Sequence, residues 1–265
     1  MTTSSRAQSF NSAAAEYAAG RPSYPPELFD AIEEFAGRGL AGARVADIGA
    51  GTGIATALLR GRGAEVTAVE PGAEMAARCR REVPSVPVVR GDGNALPLAA
   101  TSHDFVTYAQ SWHWTDPAVA VPEALRVLRT DGALAIWWNT TAFDVPWIRA
   151  QHLRIAHYSG TKPKSAARPG DAEAIRLAGL TGLRVARRRM HWSRTVSLDT
   201  HLANIGSRSA LLVLDDNRRR TFLAEEHRLL GTAFTDDTIE ETYLVDLLVA
   251  RVSGRARSRS GRDWR

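Results

Sequence analysis

The sequence contains one cysteine, Cys79, so it cannot form an intrachain disulfide bond. This scarcity is typical of proteins from a reducing compartment, and we therefore expect a cytoplasmic protein. No run of 18 apolar residues occurs, which argues against a membrane-spanning helix. The first 17 residues also lack the apolar region of a secretory signal. With 44% hydrophobic and 24% charged residues, the chain is predicted to be globular.

Lysine is almost absent, because only Lys162 and Lys164 stand among the 34 basic residues. The formal net charge of +5 could indicate nucleic-acid binding, yet residues 255–265 hold five Arg and one Asp, which contribute +4. The remainder is therefore close to neutral. We expect a disordered basic tail over 255–265 and no nucleic-acid partner.

Short apolar runs alternate with helical stretches between residues 44 and 138, a pattern typical of βαβ units. The sequence predicts an α/β fold with a doubly wound parallel sheet. We divide the chain into an N-terminal helical lid (1–41), a ligand-binding core (42–139), substrate-cap helices with the last strands (140–254), and the tail (255–265).

The first predicted strand ends in a glycine-rich turn that an acidic residue precedes. Asp47 is followed by Gly49, Gly51 and Gly53, and a second acid, Glu70, ends the next strand. Such glycines bring a ligand against a helix N-terminus, and an acid in the position of Glu70 accepts hydrogen bonds from ribose hydroxyls. A diphosphate beside Asp47 would be repelled, whereas an ammonium group would not. S-adenosylmethionine (SAM), which has a ribose and an ammonium group but no phosphate, fits this pattern.

Residues 47–53, 69–71 and 90–97 resemble three motifs of the class I SAM-dependent methyltransferases. That resemblance implies a Rossmann-like, seven-stranded sheet with a reversed last strand, here residues 242–252. It implies that SAM is the cofactor and that Asp92 meets its adenine amine. The cofactor-binding residues that we predict are Tyr17, Arg21, Asp47, Gly49, Gly51, Gly53, Glu70, Met75, Asp92, Asn94, Ala95 and Gln110.

A narrower resemblance is to the trans-aconitate-methyltransferase-like (methyltransferase type 11) branch. Phe10, Tyr17 and the Arg21-Pro22 pair resemble the N-terminal signature of that branch, and residues 110–117 resemble its fourth-strand signature. Substrates in this branch vary widely. The resemblance therefore implies methyl transfer to a small molecule, for which bacterial secondary metabolism is a plausible setting, and not one particular acceptor.

His113 is the residue that we predict to be catalytic, because it follows the fourth strand at the edge where the methyl group is expected. Imidazole titrates near neutral pH and suits a general base. Two other roles remain open for His113, a contact to substrate or SAM and a structural hydrogen bond. No His, Cys or Asp spacing indicates a metal site. Aromatic side chains are predicted to line the substrate pocket: Trp112, Trp114, Trp138 and Trp147.

Two alternatives remain open. The protein could bind the pocket ligand and catalyse a non-methylating reaction such as cyclisation or elimination, or act as a partner subunit. It could instead methylate RNA, which only the basic tail favours. The Asn/Asp-Pro-Pro-aromatic signature of base-amine methylation does not follow the fourth strand. The sequence does not indicate an oligomeric state.

Overall fold

The computed structural model describes residues 21–161, 169–180 and 183–252. Its strands form one sheet of seven in the order β3-β2-β1-β4-β5-β7-β6. In chain order they are β1 (Arg44–Ile48), β2 (Glu65–Val69), β3 (Val88–Val89), β4 (His103–Ala109), β5 (Leu128–Thr141), β6 (Leu183–Ser197) and β7 (Thr238–Val252).

The first five strands are parallel, and β7 runs antiparallel to both β5 and β6. The prediction of a doubly wound sheet with a reversed last strand is therefore confirmed. Trp137 on β5 pairs with Ala109, the last residue of β4, and with Leu247 on β7. Beyond this level β5, β6 and β7 extend above the carboxyl edge at which β1, β2 and β4 end. Ligands bind at that edge in folds of this kind.

Helices cover both faces of the sheet and its carboxyl edge. They are α1 (Pro26–Ala36), α2 (Ile54–Gly61), α3 (Ala73–Glu82), α4 (Pro117–Val127), α5 (Pro146–Ser159), α6 (Pro169–Ala178), α7 (Leu198–Gly206), α8 (Ser209–Leu212) and α9 (Asp216–Ala233), with a 3-10 turn at Trp112–Trp114. Asp116 and Ser197 cap α4 and α7 through their side chains, as such residues do at helix N-termini.

Two hydrophobic cores sandwich the sheet, and a third lies in the cap. The first core joins α1, α2 and α3 to the face that carries Trp137. The second joins α4 and α6 to the opposite face, which carries Trp138. The third holds α5, α7, α8 and α9 together around Ile205 and Phe222. No described helix is both long enough and apolar enough to span a bilayer.

Proline and glycine do not mark every element boundary in this chain. Pro122 lies inside α4, which continues to Val127. β5 begins at Leu128, before Gly132, and includes Asp131 in a left-handed conformation, φ 63°. β3 has only two paired residues, Val88 and Val89.

Candidate active site

The glycine-rich turn between β1 and α2 has one glycine that faces open space and two that are packed. A Cβ on Gly51, where φ is 58°, would meet no atom within 4 Å. A Cβ on Gly53 would lie 3.0 Å from the Cys79 sulfur, and one on Gly49 would lie 2.5 Å from the Ser111 Cβ. Gly49 and Gly53 therefore allow close packing, whereas Gly51 leaves room for a ligand.

Glu70, at the end of β2, holds this turn in place. One carboxylate oxygen accepts the backbone N–H of Gly51 at 2.8 Å, and the other accepts that of Gly72 at 2.7 Å. Glu70 is 7% exposed. Burial raises the pKa of its carboxyl, while the two N–H groups and Arg90 lower it. Each oxygen keeps a further lone pair, so the carboxylate can still accept hydrogen bonds from a ligand diol.

Asp47, at the end of β1, is completely buried below the turn. Its two oxygens accept the hydroxyls of Thr56 at 2.6 Å and Thr107 at 3.0 Å. Burial raises the pKa of this carboxyl to about 6, and the two hydroxyls only partly oppose that rise. Asp47 thus joins β1, α2 and β4. A ligand ammonium group could meet Asp47 directly or through water, and because neither carboxylate oxygen is exposed, the structure favours an indirect effect through the turn.

The loop after β3 is ordered by its own polar side chains. Asp92 Oδ1 accepts both the backbone N–H of Asn94 at 2.7 Å and its side-chain amide at 2.9 Å. Asn94 Oδ1 in turn accepts the N–H of Asp116 at 2.7 Å. The Tyr108 hydroxyl donates to the Gly93 carbonyl at 3.1 Å. Asp92 and Ala95 remain exposed beside the turn, as an adenine-contacting loop requires.

Gln110 begins the segment that follows β4, and its backbone is left-handed with φ 57°. Its side-chain amide donates to the Asn139 carbonyl at 2.8 Å, which ties the ends of β4 and β5 together. His113 is exposed, and its ring lies 4.7 Å from that of Trp114. The structure therefore places His113 at the carboxyl edge, where a base was expected; its catalytic role stays a prediction.

The segment before α1 crosses this edge. Arg21 donates to the Ser207 carbonyl at 3.1 Å, and the side chain of Asn139 donates to the Ser23 carbonyl at 3.1 Å. Tyr24 packs edge-on against Trp137, with the ring centroids 5.8 Å apart. Arg21 thus lies over the edge of the sheet, and its predicted contact with the cofactor stays a prediction. Phe10, Tyr17 and the basic tail lie outside the described residues.

Two of the four tryptophans predicted to line a substrate pocket lie in the second core, and the substrate contacts of Trp114 and Trp147 stay predictions. Trp112 and Trp138 are each 3% exposed and belong to the second core, because the alternation of β5 turns Trp138 toward α4 and α6. Trp147 packs edge-on against His201 and Phe234 in the cap. Trp114 is half-buried beside His113. Met75 is buried on α3, and its predicted cofactor contact stays a prediction.

A buried polar cluster in the cap, centred on Glu241 of β7, was not predicted from the sequence. One carboxylate oxygen accepts from His201 Nδ1 at 2.7 Å and from Asn204 at 3.0 Å. The other accepts from the Tyr243 hydroxyl at 2.6 Å and from Arg194 at 2.7 Å. Burial alone would raise the pKa of Glu241, but these donors outweigh it and lower the pKa to about 2. No periodic signal links these positions, because they come from β6, α7 and β7.

The Cys79 thiol is not a candidate nucleophile. Burial raises the pKa of the Cys79 thiol to about 11, so it is protonated at neutral pH and a poor nucleophile. Among the residues that the structure describes, no group of three His, Cys, Asp or Glu side chains could hold a metal ion.

Residues 46–136 match the Methyltransf_11 family, described as a methyltransferase domain. The uncharacterized methyltransferase Rv3342 of Mycobacterium tuberculosis is 45% identical over 141 residues, which are 53% of this chain and 56% of that protein. The malonyl-[acyl-carrier protein] O-methyltransferase of Enterobacter lignolyticus is 39% identical over 103 residues, 38% of this chain and 40% of that protein. The chain thus spans about half the length of the curated relatives it matches first.

Among solved structures, a candidate type II methyltransferase from Anaeromyxobacter dehalogenans has a TM-score of 0.66 at 23% identity, covering 88% of this chain and 98% of its own. This likeness shows the fold. The chain therefore has the fold of the class I SAM-dependent methyltransferases, as its sequence predicted. Its residues 46–136 match a methyltransferase domain of the type 11 family, and this match indicates SAM as the cofactor.

Proposed function

We propose that the protein transfers a methyl group from SAM to a small-molecule acceptor. The observation that carries this proposal is the brace that Glu70 forms between the amides of Gly51 and Gly72. The brace fixes an acidic acceptor beside the open side of the turn. A ribose diol is the group that such an acceptor binds, and SAM carries one.

The residues around the brace fit the rest of the cofactor. Gly51 leaves space where a Cβ would stand, and the exposed carboxylate of Asp92 lies on an ordered loop beside it. SAM supplies a methyl group activated on a sulfonium. The protein then has to hold the acceptor in line with that methyl group and exclude water. The segment 21–24 and the cap helices over the carboxyl edge serve this purpose.

His113 is proposed as the general base for an acceptor whose proton must leave. It is exposed at the end of β4, beside the position expected for the methyl group, and Gln110 fixes the loop before it. A base in this place needs access to the acceptor rather than to SAM. The exposure of the imidazole supports that role.

A small molecule is favoured as acceptor because the basic charge that could attract nucleic acid is concentrated in residues 255–265. The arginine-rich composition favours a GC-rich bacterial source, and we place the reaction in cytoplasmic secondary metabolism. The malonyl-[acyl-carrier protein] and demethylmenaquinone methyltransferases among its relatives are named for acceptors of different chemistry. Their difference supports a common methyl-transfer step rather than either acceptor.

Calorimetric titration with SAM tests the proposal. Glu70→Ala removes the ribose acceptor and the brace, and we expect SAM affinity to fall about thirty- to a hundredfold. Glu74→Ala is the matched control, because Glu74 is an exposed carboxylate in the first turn of α3. It should bind SAM as the wild type does. Unchanged affinity in Glu70→Ala would reject the site, and SAM binding without transfer to any acceptor would favour a non-methylating reaction.

A further inference from the structure

Arg208 lies in the bend between α7 and α8, and its positive charge is not paired with a carboxylate among the described residues. Within the described part of the chain its guanidinium makes no hydrogen bond and no ion pair, and the residue is half-buried. Burial lowers its pKa, and the nearby Arg21 guanidinium lowers it further, while Tyr243 and Glu241 act in the opposite direction. A half-buried guanidinium with no bonded anion can form charge-assisted hydrogen bonds with an anionic ligand.

The polar groups beside Arg208 are engaged with one another. Each oxygen of Glu241 already accepts two hydrogen bonds, and the Tyr243 hydroxyl both donates to Glu241 and accepts from Asn204. The carboxylate of Glu241 is therefore fully occupied by its four donors. It acts on Arg208 only through electrostatic attraction at a distance. Arg208 differs from these neighbours in that its donors remain available.

The position of Arg208 is on the acceptor side of the expected methyl group. Arg21 donates to the carbonyl of Ser207, the residue before Arg208. Tyr243 pairs with Thr141, four residues beyond Trp137, which is level with the end of β4. At about 3.3 Å per residue, Tyr243 lies roughly 13 Å above that level. It is also three strands from β1, roughly 14 Å along the sheet, and so away from the glycine turn.

A stacked aromatic pair includes Tyr243, which interacts electrostatically with Arg208. Trp192 and Tyr243 stack with ring centroids 5.2 Å apart, and the Trp192 N–H is used in a bond of 3.0 Å to Asn139 Oδ1. The backbone carbonyl of Asn139 accepts a hydrogen bond from the side-chain amide of Gln110. A series of contacts thus leads from the end of β4 to Tyr243, which interacts electrostatically with Arg208.

We propose that Arg208 binds a carboxylate of the acceptor, which anchors that molecule in the cap while its nucleophile reaches the methyl group. The planar guanidinium matches a carboxylate in two parallel hydrogen bonds. This inference rests on the proposed function for its reaction, but the anion subsite itself can be measured without turnover. The acceptor class is an organic acid with an apolar body.

Calorimetry with two pairs of probes tests the subsite: phenylacetate against phenylacetamide, and hexanoate against hexanamide. Each acid has the shape of its amide and differs in charge. Protein saturated with S-adenosylhomocysteine is titrated first, and protein without it second. We expect the wild type to prefer the acids, and Arg208→Gln to weaken acid binding about ten- to a hundredfold, the value of a charged hydrogen bond. Arg208→Lys should fall between the two.

Arg220→Gln is the matched control, since Arg220 is an exposed arginine of the same cap and the change in charge is identical. It should retain the acid preference, and Arg208→Gln should keep the S-adenosylhomocysteine affinity of the wild type. Equal binding of acid and amide by the wild type, or an acid preference that survives in both Arg208 variants, would overturn the subsite. If the wild type fails to bind S-adenosylhomocysteine yet shows an acid preference that needs Arg208, the proposed function fails and the subsite stands.

Discussion

Two buried carboxylates, one on each side of the carboxyl edge, have opposite electrostatic surroundings. Asp47 lies under the glycine turn with two threonine hydroxyls and no bonded cation, and its pKa is raised to about 6. Glu241 lies in the cap with Arg194, His201, Asn204 and Tyr243, and its pKa is lowered to about 2. Burial acts on both in the same direction, so the donors make the difference.

The contrast indicates how the two regions divide their tasks. In the cap, the charge of Glu241 is neutralised by its own neighbours, which stabilises the packing of β6, β7 and α7. Under the turn, the carboxylate of Asp47 has no bonded protein cation among the described residues. A ligand with a sulfonium or an ammonium group would neutralise its charge. Substitutions in the two regions should therefore separate stability from function.

The largest effect is expected at the exposed end of the ligand region. His113→Ala should lower turnover by about a hundred- to ten-thousandfold, the usual contribution of acid–base catalysis. Unfolding free energy should change by no more than about 0.5 kcal/mol, because the side chain is exposed. Initial rates of S-adenosylhomocysteine release, together with urea unfolding, measure both quantities.

His113→Gln distinguishes a base from an orienting group, because glutamine can hydrogen-bond but cannot take a proton at neutral pH. His157→Ala, an exposed histidine of α5, serves as the control and should leave turnover unchanged. Near-normal turnover in His113→Gln would remove the base role and leave His113 as a residue that positions the loop.

Glu241→Gln should lower the stability of the fold, in contrast to the substitution of His113. Loss of the carboxylate leaves Arg194 and the buried hydroxyl of Tyr243 without their charged acceptor, and we expect the unfolding free energy to fall by roughly 3–5 kcal/mol. The sign with pH follows from the lowered pKa: the wild-type contribution is present above about pH 4.5 and is lost as pH falls toward about 2. Urea unfolding of wild type and variant at pH 7 and pH 4 measures it.

Glu240→Gln provides the control for this substitution, since Glu240 is the exposed neighbour and bonds only Ser193 among the described side chains. Its effect should stay within about 0.5 kcal/mol. A comparable loss in both variants would mean that the Glu241 cluster adds nothing beyond an ordinary surface carboxylate.

The ligand region was largely predictable from the sequence, and the cap was not. Asp47, the three glycines and Glu70 lie within 24 residues, and the βαβ geometry brings them to one edge whatever the rest of the chain does. Glu241 meets His201 and Arg194 only after β6, α7 and β7 have packed. Local patterns carry no information on such distant pairs.

Aromatic residues show the same limit. Trp138 was predicted to line the substrate pocket, yet it is buried, as Trp137 is, because helices cover both faces of the sheet. Trp112 follows β4 and was predicted to face the substrate. The 3-10 turn instead directs it against Tyr108, with the ring centroids 4.7 Å apart. Burial of this kind depends on which helices lie above a turn, which residue spacing does not specify.

Asp47→Asn should have the smallest effect, and it tests the comparison directly. Asparagine can keep both threonine contacts, since its oxygen accepts from one hydroxyl and its amide donates to the other. Because the folded carboxyl has a raised pKa, its ionisation costs stability as pH rises from about 4 through about 6. A rise of about two units corresponds to roughly 3 kcal/mol, so the variant should match the wild type at pH 4 and exceed its unfolding free energy by up to that amount at pH 7.

The same substitution should weaken SAM binding about tenfold at pH 7, because the turn loses a negative charge that is buried beneath it. Asp236→Asn, an exposed aspartate before β7, is the matched control and should alter neither quantity. Urea unfolding across pH 4 to 7, with calorimetry at pH 7, measures both. A stability difference that does not change with pH would show that Asp47 ionises in the fold as it does in the unfolded chain. Unchanged SAM affinity would show that the ligand does not sense this charge, and Asp47 would then be a structural residue like Glu241.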